Sequence, residues 1–498
     1  MSVLFKDLFI FEMANNHQGS VEHGMKIIKE MAKITRKYGV KGAIKLQYRD
    51  LDTFIHPEFK SRDDVKHIPR FRSTRLSDSE FQILIEGVRN ENMITVCTPF
   101  DENSVKKCID HGIQLLKIAS CSALDWSLLK AVAESRKPVV VSTAGITIED
   151  IDKIVSYFTH SEVDFALMHC VGIYPVPADK VYLNFMRKMI KRYPYVMVGY
   201  SGHEAPDDYD VVKVAVTTGA KILERHVGVS TDKIKLNNYS MNPGQTDVWV
   251  ESALRAKEIC GSTDNKMITQ GELESLRSLK RGVYAARDIN KGKVIEPDDI
   301  FFAMPCIENQ VTSSEFSQLR TIFTASCPYK RDEPLIEHAQ QDISVYIRNI
   351  IHDAKGMLYE ANIELGKDVT IELSHQCKLE NIRQTGAIIV NVINREYCKK
   401  IIIMLPGQNH PKHYHKRKEE TFQLLWGDLT VKLEAREIKV RPGDKVLVKR
   451  MDPHSFFSIN GAIFEEISTT SYKGDSFYED DRISILDSMH RKTLIEDW

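Results

Sequence analysis

The stretch that decides the fold is residues 196–228, VMVGYSGHEAPDDYDVVKVAVTTGAKILERHVG. It holds an apolar run, Val196–Ser201, then an amphipathic stretch, Asp208–Thr218, then a second apolar run, Lys221–Val227. The two runs are continuously apolar, not alternating, as expected of strands buried on both faces of a parallel sheet. Each run ends on polar groups, Ser201 and His203 in one case and Glu224, Arg225 and His226 in the other.

The same unit recurs towards the N-terminus. Further runs are Leu8–Met13, Gly42–Tyr48, Ile94–Phe100, Leu115–Ser120, Pro138–Ala144 and Phe165–Val171. Between them lie helical patterns over Val21–Tyr38, Asp78–Asn90, Leu124–Ser135 and Ile148–Phe158, two of which open on capping residues, Ser77 with Glu80 and Thr147 ahead of Glu149. Eight strand–helix units in about 250 residues predict a closed (β/α)8 TIM barrel. The rival, an open doubly wound sheet, would normally bring a glycine-rich phosphate turn, and none is present.

The whole chain has 498 residues, 68 Lys+Arg and 69 Asp+Glu, a net charge of −1. At roughly 150 residues per domain, that length predicts three domains. With 42% hydrophobic and 28% charged residues the composition is that of an ordinary globular protein, and the neutral balance argues against bulk nucleic-acid or membrane binding. No apolar span of membrane length is visible, and Met1–Ile10 carries Lys6 and Asp7 and lacks a cleavage site. The nine cysteines are scattered without a C-x-x-C pair, which predicts reduced thiols and a cytoplasmic protein.

A barrel enzyme places its chemistry at the C-terminal ends of its strands. Glu12, Asn16 and His17 end the first strand, Lys45 and Gln47 the second, Thr98 the third. Lys117 and Ser120 end the fourth, Ser142 and Thr143 the fifth, and His169 and Tyr174 the sixth. His203 and His226, from neighbouring strands with Glu12 and Glu224 close by, form a candidate divalent-metal pair. Lys45, Lys117, Ser120, Ser142 and Ser201 suit a phosphate or carboxylate; a lysine at a strand end equally suits a Schiff base with a carbonyl substrate.

The segments FEMANNHQGS, IKLQY, TPFD, LLKIAS, VSTAG, MHCVGIYPVP, VGYSGHE and ILERH, in this order over residues 8–250, resemble the barrel motifs of sialic acid synthases. Residues 278–341, beginning SLKRGVYAARDINKGKVIEPDDIFFAMP, resemble the small α+β antifreeze-like (SAF) domain of that family. The resemblance implies condensation of phosphoenolpyruvate with N-acetylmannosamine or a related open-chain sugar, with C–O cleavage and phosphate release. It implies that His203 and His226 bind Mn2+, that Lys45, Gln47, Lys117, Ser120, Ser142, Tyr174 and Ser201 contact substrates, and that Glu12 and Glu224 are the acidic groups. Lysines so used favour anion binding over a Schiff base. A domain-swapped homodimer is also implied, with the antifreeze-like domain completing a neighbour's site. The chain departs from the family at Cys121–Ser122, Gly172, Leu236–Asn238 and Met304, all positions associated with the sugar, so an acceptor other than plain N-acetylmannosamine is expected.

Beyond residue 342 the pattern changes to dense short strands with Gly, Pro and Asn turns, which predicts an all-β jelly roll. Gly407, His413, His415, Glu420 and Gly427 fit the first cupin motif, and Pro442-Gly443-Asp444 with His454 the second. His413 and His415 lie two apart, on one face of a strand, and with Glu420 and His454 would bind Mn, Fe, Ni or Zn. The run LPGQNHPKHYHKRKEETFQLLWGDL resembles cupin sugar isomerases of the D-lyxose isomerase type. The expected division is therefore 1–265 synthase barrel, 266–341 antifreeze-like domain and 342–498 cupin. Alternatives are a sugar isomerase whose barrel only binds substrate, and a carbohydrate-binding module without turnover.

Overall fold

In the computed structural model, residues 3–261, 266–317, 321–336, 340–341, 343–434 and 436–495 are described. They form two compact units, Met1–Met267 and Ile268–Trp498. Among the described residues no helix is long and apolar enough to cross a membrane, and all nine cysteines are free thiols.

The first unit is a closed parallel barrel in sequential order. Its strands are β1 (Leu8–Glu12), β2 (Lys41–Tyr48), β3 (Ile94–Pro99), β4 (Leu115–Ile118), β5 (Val139–Ser142), β6 (Phe165–Cys170), β7 (Met197–Gly202) and β8 (Ile222–His226). The helices Val21–Tyr38 and Asp78–Asn90 form over the residues expected, the second on a complete Ser77/Glu80 capping box.

Period-two alternation sorts every strand between two cores. Phe9, Phe11, Ile44, Leu46, Val139, Val141 and Leu223 face outward against the helices. Ile10, Ala43, Val96, Leu115, Val140, Ala166, Met168 and Ile222 fill the barrel axis. Two residues further along each inward register, the side chains become Glu12, Lys45, Thr98, Lys117, Ser142, Cys170 and Glu224. The axis is thus hydrocarbon at one end and ionic at the other. Gly199 is where β7 and β8 close on each other: a Cβ there would lie 2.5 Å from the Ile222 carbonyl oxygen.

Alternation also corrects the ring of polar strand ends. Arg225 points outward and pairs with buried Glu204, which also accepts from the Tyr200 hydroxyl at 2.8 Å. His169 faces outward too, its Nε2 on the Val181 carbonyl at 2.7 Å, and His17 packs edge-on to Phe81. Arg225 and His169 belong to the packing around the barrel, not to its mouth; His17, in the loop after β1, borders a cavity.

The second unit begins with the helix Gln270–Leu279 and an antiparallel pair, Gly282–Ala285 with Ile300–Ala303. A core of its own, including Val283, Ile289, Ile295, Phe323 and Leu335, supports this pair. Asp299, buried at the Pro297–Asp299 turn, is held by Arg287 and Lys293. An 18-residue helix, Ile343–Glu360, follows, which the strand-by-strand expectation for this region did not include.

Two antiparallel sheets then form the cupin. The seven-stranded one runs Lys445–Val448, Glu420–Gly427, Ala462–Thr469, Tyr397–Met404, Ala387–Asn394, Thr370–Ser374 and Lys492–Ile495. The five-stranded one runs Arg436–Val440, Leu429–Leu433, His454–Phe457, Asn409–Tyr414 and Phe477–Tyr478. The helix covers the outer face of the larger sheet, with Ile350, Ile351, Ala354 and Leu358 against Ile371, Leu373, Ile388 and Ile403. A separate core between the sheets contains Ile402, Phe422, Leu424, Val431, Phe456 and Phe464.

Candidate functional sites

At the ionic end of the barrel, Glu12 is in register with Lys45 on one side and His226 on the other, and Ser201 is in register with Glu224. Lys45 Nζ lies 2.6 Å from Glu12 Oε2 and 2.6 Å from Glu224 Oε1. Lys117 Nζ lies 2.9 Å from Glu224 Oε2, and the Ser201 hydroxyl donates to Glu224 Oε1 at 2.9 Å. All five side chains are buried. The lysines expected as two cations are therefore compensated by two carboxylates, and a set of buried charges is tolerable only in such mutual pairing.

The two carboxylates are not equivalent. Burial alone would raise Glu224, but Lys117 and Lys45 together outweigh it and hold the carboxyl below its usual range. Glu12 meets only Lys45 and faces Glu224, so burial wins and its affinity for a proton rises. Burial lowers Lys117, while Glu12 and Glu224 overcome burial at Lys45 and raise it. Two carboxylates pushed apart in this way are suited to different tasks, one fixed as an anion and one able to carry a proton.

His203 and His226 lie beside this cluster with ring centroids 5.6 Å apart. His203 donates from Nδ1 to the Val171 carbonyl at 2.9 Å, which leaves its Nε2 lone pair free. Burial pushes His203 down to about 4 and His226 well below the usual imidazole range. Neutral imidazoles are the donor form a divalent metal requires, and His203 is also oriented for it, so the pair fits one. Tyr174 packs over His203 at 4.2 Å, and Tyr239 meets His226 edge-on at 5.1 Å.

Of the remaining expected contacts, the Ser120 Oγ accepts the Ala144 N–H at 3.0 Å, and Ser142 is buried at the end of β5. Gln47 accepts from Arg49 Nη1 at 3.1 Å. Arg49 was not anticipated: its guanidinium is sandwiched between Phe71 and Phe100 at 4.2 and 3.6 Å, and burial pushes it down to about 10. It borders a cavity of about 590 Å3 that also touches Gln47, His17 and Asp50.

The second site lies inside the cupin. One ring nitrogen from each of His413, His415 and His454 lies within 4.8 Å of the others, and all three rings are buried. His413 Nδ1 donates to the Pro411 carbonyl at 3.0 Å, His415 Nδ1 to Asp475 at 2.6 Å and His454 Nδ1 to Asp452 at 3.0 Å. Each ring is thereby fixed with Nε2 as its lone-pair nitrogen. Glu420 approaches His415 Nε2 at 3.5 Å and His454 Nε2 at 3.3 Å, yet its Oε2 and His454 Nε2 find no hydrogen-bond partner. Orphaned lone pairs converging in a buried space are what a bound cation would satisfy, so these residues fit a transition metal.

Two supporting groups escaped the motif. Lys418 is buried and pairs with both Glu420 and Glu466. Burial alone would raise Glu420; Lys418, assisted by His454, holds it well below the usual range. Asp475, whose carbonyl orients His415, also accepts the backbone N–H groups of Lys416, Arg417 and Lys418 at 3.0 to 3.2 Å. No local spacing signals Asp475, which reaches the loop from about sixty residues away.

Two protein-family models match the chain, one in the barrel and one in the cupin. Residues 32–265 match the NeuB family model and residues 400–462 the cupin domain model. A crystal structure described as spore coat polysaccharide biosynthesis protein E, from Chromobacterium violaceum, is 44% identical with TM-score 0.65, covering 68% of this chain and 100% of that one. An uncharacterized protein of Methanocaldococcus jannaschii is 29% identical over 298 residues, 59% of this chain and 84% of that protein. The N-acetylneuraminate-9-phosphate synthase of Drosophila melanogaster is 27% identical over 328 residues, 58% of this chain and 85% of that enzyme. The chain belongs to the NeuB family and carries a cupin domain after its barrel.

Proposed function

We propose that the barrel is a nonulosonic-acid-type synthase that joins phosphoenolpyruvate to an open-chain 2-acetamido sugar and releases phosphate. The observation that carries this reading is the buried Lys45–Glu12–Lys117–Glu224 set beside two neutral histidines at one end of a closed barrel. Lys45 and Lys117 hold the carboxylate and phosphate of phosphoenolpyruvate, with Ser120, Ser142, Ser201 and Gln47 around them. A divalent cation, Mn2+ in the enzymes this chain resembles, would be held by His203 and His226 and would polarise the acceptor's carbonyl oxygen.

The enol carbon of phosphoenolpyruvate attacks the aldehyde carbon, forming the C–C bond. A water oxygen then adds at the cationic carbon that carries the phosphate ester, one water proton ending on the alkoxide left by the aldehyde; phosphate leaves with the C–O bonding pair and the other proton, giving the ketone. Glu224, held as an anion between two lysines, keeps those cations in place and stabilises positive charge. Glu12, with its raised proton affinity, takes the proton released by the water. Tyr174, over His203, borders the acceptor.

The departures at Cys121–Ser122, Gly172, Leu236–Asn238 and Met304 point to an acceptor other than plain N-acetylmannosamine. At Gly172 the absent side chain is not a steric necessity, since a Cβ would come no closer than 3.9 Å to Ala144. The protein is proposed to act in the cytoplasm as a homodimer in which residues 266–341 complete a partner's site. For the cupin we propose a metal-dependent sugar site held by His413, His415, Glu420 and His454, acting on or sensing a sugar of the same route. The test is phosphate release from phosphoenolpyruvate over a panel of 2-acetamido hexoses, with and without Mn2+. Release with a modified hexose supports the reading. Absence of release with every acceptor overturns the synthase, and highest kcat/KM with N-acetylmannosamine overturns the acceptor assignment.

A further inference from the structure

The cupin interior is divided as the barrel axis is. On the inward registers of the larger sheet, apolar Ile402, Phe422 and Phe464 give way, two residues along, to Lys400, Glu420 and Glu466. An ion-pair chain crosses this polar half. Glu420 pairs with Lys418, Lys418 Nζ lies 3.0 Å from Glu466 Oε1, and Lys400 Nζ lies 3.7 Å from the same oxygen.

Lys400 opens onto a pocket of about 230 Å3. Its lining carries four cations, Lys400, Lys473, Arg491 and Lys492, against a single carboxylate, Glu372. Glu372 is already engaged by Lys492 at 3.1 Å. Among the described residues no carboxylate pairs with Arg491 or Lys473; the Arg491 guanidinium lies over the Tyr478 ring at 4.9 Å. Tyr478 is shared with the histidine cluster, its ring stacked on His413 at 5.3 Å and 23° and its hydroxyl accepting from Gln376 Nε2 at 3.1 Å. Ser374, Asn391 and Ser476 add neutral hydrogen-bonding groups to the wall.

We propose that this pocket binds an anionic carbohydrate, a single sugar unit bearing one phosphate or carboxylate, as the ligand of the cupin. Surplus cations without acidic partners call for an anion, and a guanidinium is the group best shaped for a phosphate or carboxylate. Hydroxyl and amide groups with an aromatic wall suit the polyol, and the volume admits one monosaccharide. The shared Tyr478 ties the ligand to the histidine cluster. The inference rests on the sugar-site reading of the cupin given above.

Isothermal titration of the full-length protein with mannose 6-phosphate, glucuronate and neutral mannose tests it. At least one anionic sugar is expected to bind tenfold or more tightly than mannose. Arg491→Gln should weaken that binding at least tenfold, and Lys473→Gln, at an exposed position, by a few-fold. Lys117→Gln, in the barrel, should leave it unchanged. Equal affinity for mannose, no binding of any probe, or weakening by Lys117→Gln but not by either pocket variant overturns the proposal. Metal content, measured separately in wild-type protein and in His413→Ala, reports on the cupin metal site independently of anion binding.

Discussion

The two histidine sites of this chain solve one problem in opposite ways. In the cupin, three imidazoles and a carboxylate come from one local motif plus one neighbouring strand, and each ring is fixed by a backbone carbonyl. In the barrel, two imidazoles stand beside a charge cluster gathered from β1, β2, β4 and β8, with Lys45 and Glu224 separated by 179 residues. The cupin site fits an ion; in the proposed reading the barrel's ionic groups serve anions and protons as well. Closed parallel strands allow that, because every inward register ends at the same mouth.

Cutting the support beneath the barrel site should have the largest effect. Glu204→Ala leaves Arg225 buried without its counter-charge and should lower barrel stability by about 3–5 kcal/mol. Urea unfolding followed in the first unit checks this, and a loss below about 1 kcal/mol would show that water replaces the pair. Next in size is a pH effect at His17 in the barrel. His17 Nδ1 accepts the Gly19 N–H at 3.1 Å, and burial, aided by Arg70, pushes the imidazole down to about 4. At His17 the unfolded chain takes up a proton near pH 6.5 that the folded one refuses, so this group alone should lower stability by about 3 kcal/mol from pH 6.5 to 4. In His17→Asn the urea midpoint should fall less over that range; an unchanged slope would contradict the assignment.

Lys418→Met sharpens the comparison from the cupin side. It leaves Glu420 and Glu466 without their shared cation and should weaken metal binding about 10–100-fold, read by competition with a chelator, while barrel turnover is unchanged. Unaltered metal affinity would show that Lys418 only fills space. The smallest effect is expected at the helix on the outer cupin face, where Ile350→Val should cost about 1 kcal/mol in denaturant unfolding without changing metal content.

How far the sequence foretold all this differs between the two regions for physical reasons. All eight barrel strands lie where continuous apolar runs predicted, because burial on both faces leaves a signal in each strand alone. Alternation then separates Glu224 and His226, inside, from Arg225, outside, and that distinction was available from β8 itself. The Lys45–Glu224 pairing was not, since it depends on barrel closure between distant strands. In the cupin, His413, His415, Glu420 and His454 were legible from spacing. Lys418 was not, because its partner Glu466 lies on another strand. The helix Ile343–Glu360 does carry an i, i+3, i+4 apolar face in Ile347, Ile350, Ile351 and Ala354, masked by the density of strands that follow it.

The proposed synthase chemistry belongs to the barrel histidine pair and its lysine–carboxylate cluster, not to the cupin. Phosphate release from phosphoenolpyruvate and the best acceptor, with Mn2+, compared in His226→Ala and His413→Ala, tests it most directly. His226→Ala should lose about 1,000-fold or more, as expected when a group that orients the reacting carbonyl is removed, and His413→Ala should turn over within about twofold of wild type. Retained release in His226→Ala together with its loss in His413→Ala would contradict it.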